Sequence, residues 1–199
     1  MSDRAQIAAS ICEVARRAYQ RRLQTGTGGN LSARLSAGQR ILIKGSGASF
    51  ATCTPDDLVE VDLTSGQPLN GTPSSELHSH LEIYRARSDV GAIFHCHAPW
   101  TIACAETEEA IPPIARHAAD KMGLVPVLRT GPAPTPEAVA ASIRRLLADH
   151  PNLKAFVEAQ HGIFSFGATI ELAAYGADLV EETAQISFLA KLWKALVRA

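Results

Sequence analysis

The side chains best able to do chemistry lie in short, separated stretches: Glu76 behind the pair Ser74-Ser75, His95 and His97 in FHCHA, and His161 in AQHGIF. In extended chain, residues i and i+2 point to the same side, so His95 and His97 can face one metal ion while Cys96 faces away. With His161 as a third imidazole, the set matches a catalytic zinc centre, which uses three protein ligands and leaves one position open. Cys96 is the rival ligand, but strand alternation turns its thiol to the core, where a small apolar residue is the plainer role. Glu76 is the carboxylate placed to serve such a centre.

A second chemistry is written in small residues. Thr27-Gly28-Gly29-Asn30 and Ser46-Gly47 offer backbone N–H groups with little side-chain bulk, and Ser74-Ser75 place hydroxyls at the start of a helix. Each alone is an ordinary turn or helix start. Together they point to a bound phosphate. None matches GxxxxGK[ST] or GxGxxG, so a nucleotide is not indicated. The remaining histidines divide by position. His78 and His80 lie two apart on a helix, about 200° around its axis, and cannot share a metal; His80 is expected inside, His78 solvated. His150 ends a helix as a partner of its dipole. His117 follows Pro112-Pro113 in what reads as irregular chain, where a catalytic and a structural role are equally open.

These groups must be held by a mixed set of elements. Hydrophobic spacing predicts helices over 3–24, from Ser75 into the Arg85–Arg87 region, from Pro99 through Cys104, over 136–149 and over 170–197. Strands are predicted at Asn30–Leu35, Arg40–Lys44, Leu58–Leu63, 91–97, Val125–Arg129, Lys154–Glu158 and Ile163–Phe166. Helices and strands do not alternate regularly enough for a doubly wound parallel sheet, so a mixed or antiparallel sheet covered by helices fits better.

With 199 residues, 46% hydrophobic and 20% charged, the chain is expected to be one globular domain, residues 1–199. A net charge of -1 supplies no field for nucleic acid or an anionic membrane. The four cysteines are scattered, with no CxxC pair, and read as reduced thiols. MSDRAQIAAS lacks a signal pattern, and no apolar run nears the roughly 18–20 residues of a membrane span. The expected compartment is the cytoplasm.

The combination resembles the class II aldolase and adducin-head family. The likeness rests on TGTGGNLSARL, ILIKGSG, PSSELHSHLEIYRAR, the His95/His97 pair, His161-Gly162 and the final helix, and runs over nearly the whole chain. It implies an α/β fold of three layers, α/β/α, around a central, mostly antiparallel sheet. It implies a homotetramer with active sites at subunit interfaces and a phosphorylated sugar as substrate. By the family pattern His95, His97 and His161 would bind Zn²⁺, or another divalent transition metal in its place. Glu76 would be the catalytic acid/base, touching the metal when no substrate is present. Gly29, Asn30, Ser46, Gly47, Ser74 and Ser75 would hold the phosphate.

The implied reaction makes or breaks a carbon–carbon bond in a phosphorylated ketose, with dihydroxyacetone phosphate as one product, through a metal-stabilised enediolate. Family aldolases donate a proton from a tyrosine after an isoleucine-proline segment. Here that place reads Ile114-Ala115-Arg116-His117, making His117, or Arg116, the candidate donor. The family also holds a pentulose-phosphate 4-epimerase, a methylthioribulose-phosphate dehydratase and a decarboxylase of oxo-tetronate phosphates. Its adducin heads lack the metal histidines and serve as interaction modules, so His95, His97, His161 and Glu76 together favour an enzyme.

Overall fold

The computed structural model describes residues 3–36 and 38–198. Its strands are β1 (Asn30–Arg34), β2 (Arg40–Lys44), β3 (Leu58–Asp62), β4 (Ala92–Cys96), β5 (Val127–Leu128), β6 (Ala155–Glu158) and β7 (Gly162–Gly167). All belong to one sheet, ordered β3-β2-β1-β4-β7-β6-β5. Every neighbouring pair is antiparallel except β5 and β6. The helices are α1 (Asp3–Gln20), α2 (Leu77–Ala86), α3 (Pro99–Ala105), α4 (Arg116–Met122), α5 (Pro136–Asp149) and α6 (Ile170–Leu196).

Strand alternation divides the interior into two cores. Leu31, Ala33, Leu42, Phe94, Cys96 and Ile163 face one side, against Ile11 and Ala15 of α1 and Ala173 and Ala177 of α6. Ile41, Ile43, Val61, Ile93, Phe156 and Phe164 face the other, against Ile83 of α2 and Ile143 of α5. The inner strands are therefore wet on neither face, which is why AIFHC and GIFSFG read as nearly continuous apolar runs. The layers are α/β/α, as the sequence resemblance implied. Cys96 points into the first core, fully buried and away from its neighbouring histidines.

Antiparallel pairing also gathers the chemistry at one end of the sheet. The last residues of β2, β4 and β6 lie beside the first residues of β1 and β7. Asn30 pairs with His95, His95 with Phe164, Cys96 with Ile163, and Glu158 with Gly162.

Several boundaries differ from the sequence expectation. α1 ends at Gln20, not at residue 24. Arg22 takes φ 61° and Leu23 donates to the Ala18 carbonyl at 3.0 Å, a left-handed helix end that sends Gln24 inward. α2 begins at Leu77, because Ser74 to Glu76 form a turn closed by Leu77 N–H on Ser74 O at 3.1 Å. β5 keeps only Val127 and Leu128 of the five residues expected. Residues 116–122 are helical, not irregular, since Ala118 and Met122 give that segment a buried face.

Gly91, at the opposite end of β4, is where this packing leaves no room. A Cβ there would stand 2.1 Å from the Ala168 carbonyl oxygen. Gly91→Ala should lower the unfolding free energy by roughly 1–3 kcal/mol in urea titrations, with metal stoichiometry unchanged in the folded fraction; unaltered stability would mean that the β4–β7 edge is looser than described.

Candidate metal centre

His95 is the last strand residue but one, wholly buried and stacked on Phe164 with ring centroids 4.1 Å apart. Its Nδ1 lies 2.9 Å from the Ile163 carbonyl, which can only accept, so Nδ1 carries the hydrogen and Nε2 is left with its lone pair. His97 lies just past the strand. Its backbone N–H donates to Gln24 Oε1 at 2.8 Å, and its Nε2 comes 3.1 Å from that of His95. His161 sits at the tip of the β6–β7 hairpin, after Gln160 in the left-handed region at φ 62°. Its Nδ1 donates to Glu158 Oε2 at 3.0 Å, which turns Nε2 toward Glu76.

Glu76 closes the ring. Its Oε1 is 2.7 Å from His161 Nε2 and its Oε2 is 3.1 Å from His95 Nε2. One ligand atom from each of Glu76, His95, His97 and His161 falls within 4.8 Å of all the others. Three imidazole nitrogens and one carboxylate oxygen facing a common point suit a divalent transition metal such as zinc.

A buried chain of hydrogen bonds fixes Glu76 from behind. Asn30 Nδ2 donates to Glu76 Oε2 at 2.6 Å, so Asn30 Oδ1 is the acceptor for His80 Nε2 at 2.5 Å. His80 Nδ1 must then accept from Ser32 Oγ at 2.7 Å, and Tyr84 OH donates to Ser32 Oγ at 2.8 Å. Burial, with the nearby His95 charge, pushes the His80 pKa down to about 3, which keeps it in the neutral form this chain requires.

Opposing effects set the charges at the centre. Burial alone would raise the Glu76 pKa, but the charge of His95 and the hydrogen bond and charge of His161 outweigh it and hold the carboxyl far below its usual range. Burial takes His95 down to about 4 against the attraction of Glu76. His161 goes the other way. Burial would lower it, yet hydrogen bonds from its ring to Glu158 and Glu76 raise it to about 10. In the metal-free chain His161 is therefore the imidazole that carries charge at neutral pH.

The small-residue loops meet beside this ring. Gly45 bridges to Pro73, Ser46 N–H donates to Thr72 O at 3.0 Å, and Ser74 N–H to Lys44 O at 3.1 Å, setting Ser46-Gly47 next to Ser74-Ser75. Gly29 and Gly47 have φ of 63° and 78°. A Cβ on Gly29 would approach Gln24 Oε1 to 2.5 Å and the His95 carbonyl to 2.9 Å, so this loop is packed against the strand that carries His95. On the other flank a cleft of about 340 Å³ opens along Glu76, His78, Thr130, Pro134, Glu158 and His161. His78 is half-buried there, not fully solvated, with Nδ1 3.1 Å from Ser75 O.

His117 does not join the ring within this chain. It is exposed on α4 with Nε2 3.0 Å from Glu182 Oε2 on α6, and Arg116 beside it is also exposed. Conversely, the structure adds residues that sequence reasoning missed. Glu158, buried and hydrogen-bonded by Thr130 Oγ1 at 3.0 Å, orients His161; a carboxylate three residues before His161-Gly162 was its available signal. Gln24 had none, because its role depends on where α1 stops.

Comparison with known proteins gives the family. Residues 9–188 match the family model described as Class II Aldolase and Adducin N-terminal domain. A 3-oxo-tetronate 4-phosphate decarboxylase from Escherichia coli is 32% identical over 202 residues, covering 95% of this chain and 91% of that protein. A 5-methylthioribulose-1-phosphate/5-deoxyribulose-1-phosphate aldolase from Rhodospirillum rubrum is 34% identical over 186 residues, covering 94% and 80%. The crystal structure of L-fuculose-1-phosphate aldolase from Thermus thermophilus superposes with a TM-score of 0.85 at 28% identity, covering 96% of this chain and 98% of that one.

A metal entering the ring must displace the proton on His161, so affinity should rise with pH. Zinc competition titrations between pH 6.5 and 9 should show the dissociation constant falling by up to about tenfold per pH unit; a flat profile would remove His161 from the ligand set. Glu158→Gln keeps an acceptor for Thr130 but removes the charge behind His161. It should weaken zinc by roughly ten- to a hundredfold, measured by the same competition.

Proposed function

The chain belongs to the class II aldolase and adducin family, and from that premise we propose that it is a metal-dependent carbon–carbon lyase, an aldolase that cleaves or forms a phosphorylated ketose with dihydroxyacetone phosphate as one product. The observation that carries this reading is the Glu76 carboxylate, ionised and held between His95 and His161. A bound zinc, or a similar divalent ion, on His95, His97 and His161 supplies positive charge against the negative charge that develops on substrate oxygens as the bond breaks. Glu76 enters as a base, since it is unprotonated throughout the neutral range, and moves a proton to or from the reacting carbon. Gly29, Asn30, Ser46, Gly47, Ser74 and Ser75 form the phosphate end of the site. Burial of His95 and Phe164 dries its floor, which strengthens each of these electrostatic contacts.

His117 fits the role of proton donor only if it serves a neighbouring copy, because in its own chain it faces α6. The surface supports such a neighbour. Toward its end α6 presents an exposed apolar face of Phe188, Leu189, Leu192, Trp193 and Leu196, with Lys191 and Lys194 on the other side. We read this face as part of a homotetramer interface. Residues 1–199 would then be one domain of a cytoplasmic enzyme; no described helix is long and apolar enough to cross a membrane. The similarity to a protein named as an oxo-tetronate phosphate decarboxylase supports a second reading, in which the same centre releases carbon dioxide in place of an aldehyde.

A panel of ketose 1-phosphates, pentulose phosphates and oxo-tetronate phosphates, with zinc-loaded protein, separates these outcomes. Dihydroxyacetone phosphate with an aldehyde establishes the aldolase, and the same triose with carbon dioxide the decarboxylase. Loss of water or a new isomer would move the reaction to dehydration or epimerisation. Glu76→Gln should retain zinc yet lose at least about a hundredfold in turnover; near-normal turnover would remove Glu76 as the base. Replacing Leu189 and Trp193 by Glu should shift light-scattering mass from tetramer to smaller species, and an unchanged tetramer would move the interface elsewhere.

A further inference from the structure

Lys44 ends β2 with a relative exposure of 2%, one of the largest fully enclosed side chains in the protein. Its Nζ reaches Ala48 O at 2.7 Å, Thr27 O at 3.1 Å and Gly45 O at 3.4 Å. Three carbonyl acceptors match the three hydrogens of an ammonium, which donates only. Among the described residues no carboxylate pairs with it. Burial lowers its pKa, opposed only from further off by Cys53, Asp57 and Glu76, and the Phe50 ring lies 5.9 Å away. An interior cation without a counterion is costly, so a fold that keeps one invites the question of what neutralises it.

The carbonyls give the direction. In a planar trans peptide the C=O of one residue and the N–H of the next point oppositely. Thr27 O and Ala48 O turn inward to Lys44, so the N–H groups of Gly28 and Ser49 turn away from it. Among the described residues the N–H groups of Gly28, Gly47 and Ser49 donate to nothing, while Ser46 and Gly47 lie exposed above the lysine. Ser49 Oγ, bonded to Gly26 O at 2.9 Å, ties the two loops together.

We propose that Lys44 is a binding-site residue that never touches its ligand: its enclosed ammonium orients the 26–29 and 45–49 loops and supplies the positive charge that selects a phosphate dianion above them. The proposal rests on the reading of those loops as the phosphate end of the site. It makes Lys44 a positioning and specificity residue, and the substrate's phosphate its missing counterion.

The test compares inorganic phosphate with sulfate, which stays dianionic, by calorimetry on zinc-loaded protein from pH 6 to 8.5. In the wild type, phosphate should tighten relative to sulfate as it loses its second proton near pH 7, about a unit above a phosphate monoester. Lys44→Arg should bind within about threefold of wild type, and Lys44→Gln should weaken dianion binding by about tenfold or more and flatten the phosphate-to-sulfate pH difference. Zinc stoichiometry reports folding, and Ser46→Ala controls for the loops. If Ser46→Ala weakens phosphate while Lys44→Gln binds normally with its pH difference intact, Lys44 is only a clamp and the inference falls alone. If the wild type binds no phosphate, the phosphate reading of the loops falls and the inference with it. Should Lys44→Gln lose zinc, NMR of the wild-type Lys44 ammonium decides: phosphate must raise its pKa by reciprocity, and an unmoved titration overturns the proposal.

Discussion

The site depends on strand register. Asn30 lies opposite His95, and His95 opposite Phe164, so the imidazole emerges beside the amide that holds Glu76 and above the aromatic floor that keeps it dry. Side chains alternate with a period of two, and a slip of one residue would exchange His95 for Cys96. The His95 imidazole would then point into the α1–α6 core and the Cys96 thiol toward Glu76 and His161. Large apolar residues on both faces, Ile93 and Phe166 on one and Phe94 and Ile163 on the other, oppose that slip. Burying two cores thus also fixes the ligand geometry.

The second constraint is the treatment of charge in a dry place. Glu76, Glu158 and Lys44 are all substantially buried, and each is handled differently. Glu76 is ionised by imidazoles and an amide, Glu158 by an imidazole and a hydroxyl, and Lys44 by backbone carbonyls alone. The carboxylates gather on the metal side and the ammonium beneath the loops. The end of the sheet therefore carries a dipole, attracting a cation in one half and an anion in the other. A metal-chelating, phosphorylated sugar has the same polarity along its length, whereas a neutral sugar does not.

The pairing of His95 and His97 was legible because extended chain has one geometry, in which two residues apart means one face, whereas the sequence pattern alone did not bring His161 and Glu76 to the same point. The layers were legible for a related reason, since strand runs too apolar for one wet face demand cover on both sides. Gln24 was not legible, because its amide reaches His97 only after α1 unwinds at Arg22, a helix end carried by a residue type that gives no warning of it. Arg116–Met122 was hidden for the opposite reason. A helix that short draws its stability from packing on α6 rather than from its own caps. Lys44 stood inside a recognisable motif, but a lysine in a strand reads as a surface residue until its surroundings are known.

The hydrogen-bond chain from Tyr84 through Ser32 and His80 to Asn30 runs one way, with every proton assigned by the next acceptor. It holds the Asn30 amide so that its oxygen can never turn to Glu76. The aim of the Glu76 carboxylate is thus set from Tyr84, through the three buried side chains of Ser32, His80 and Asn30, before any ligand arrives.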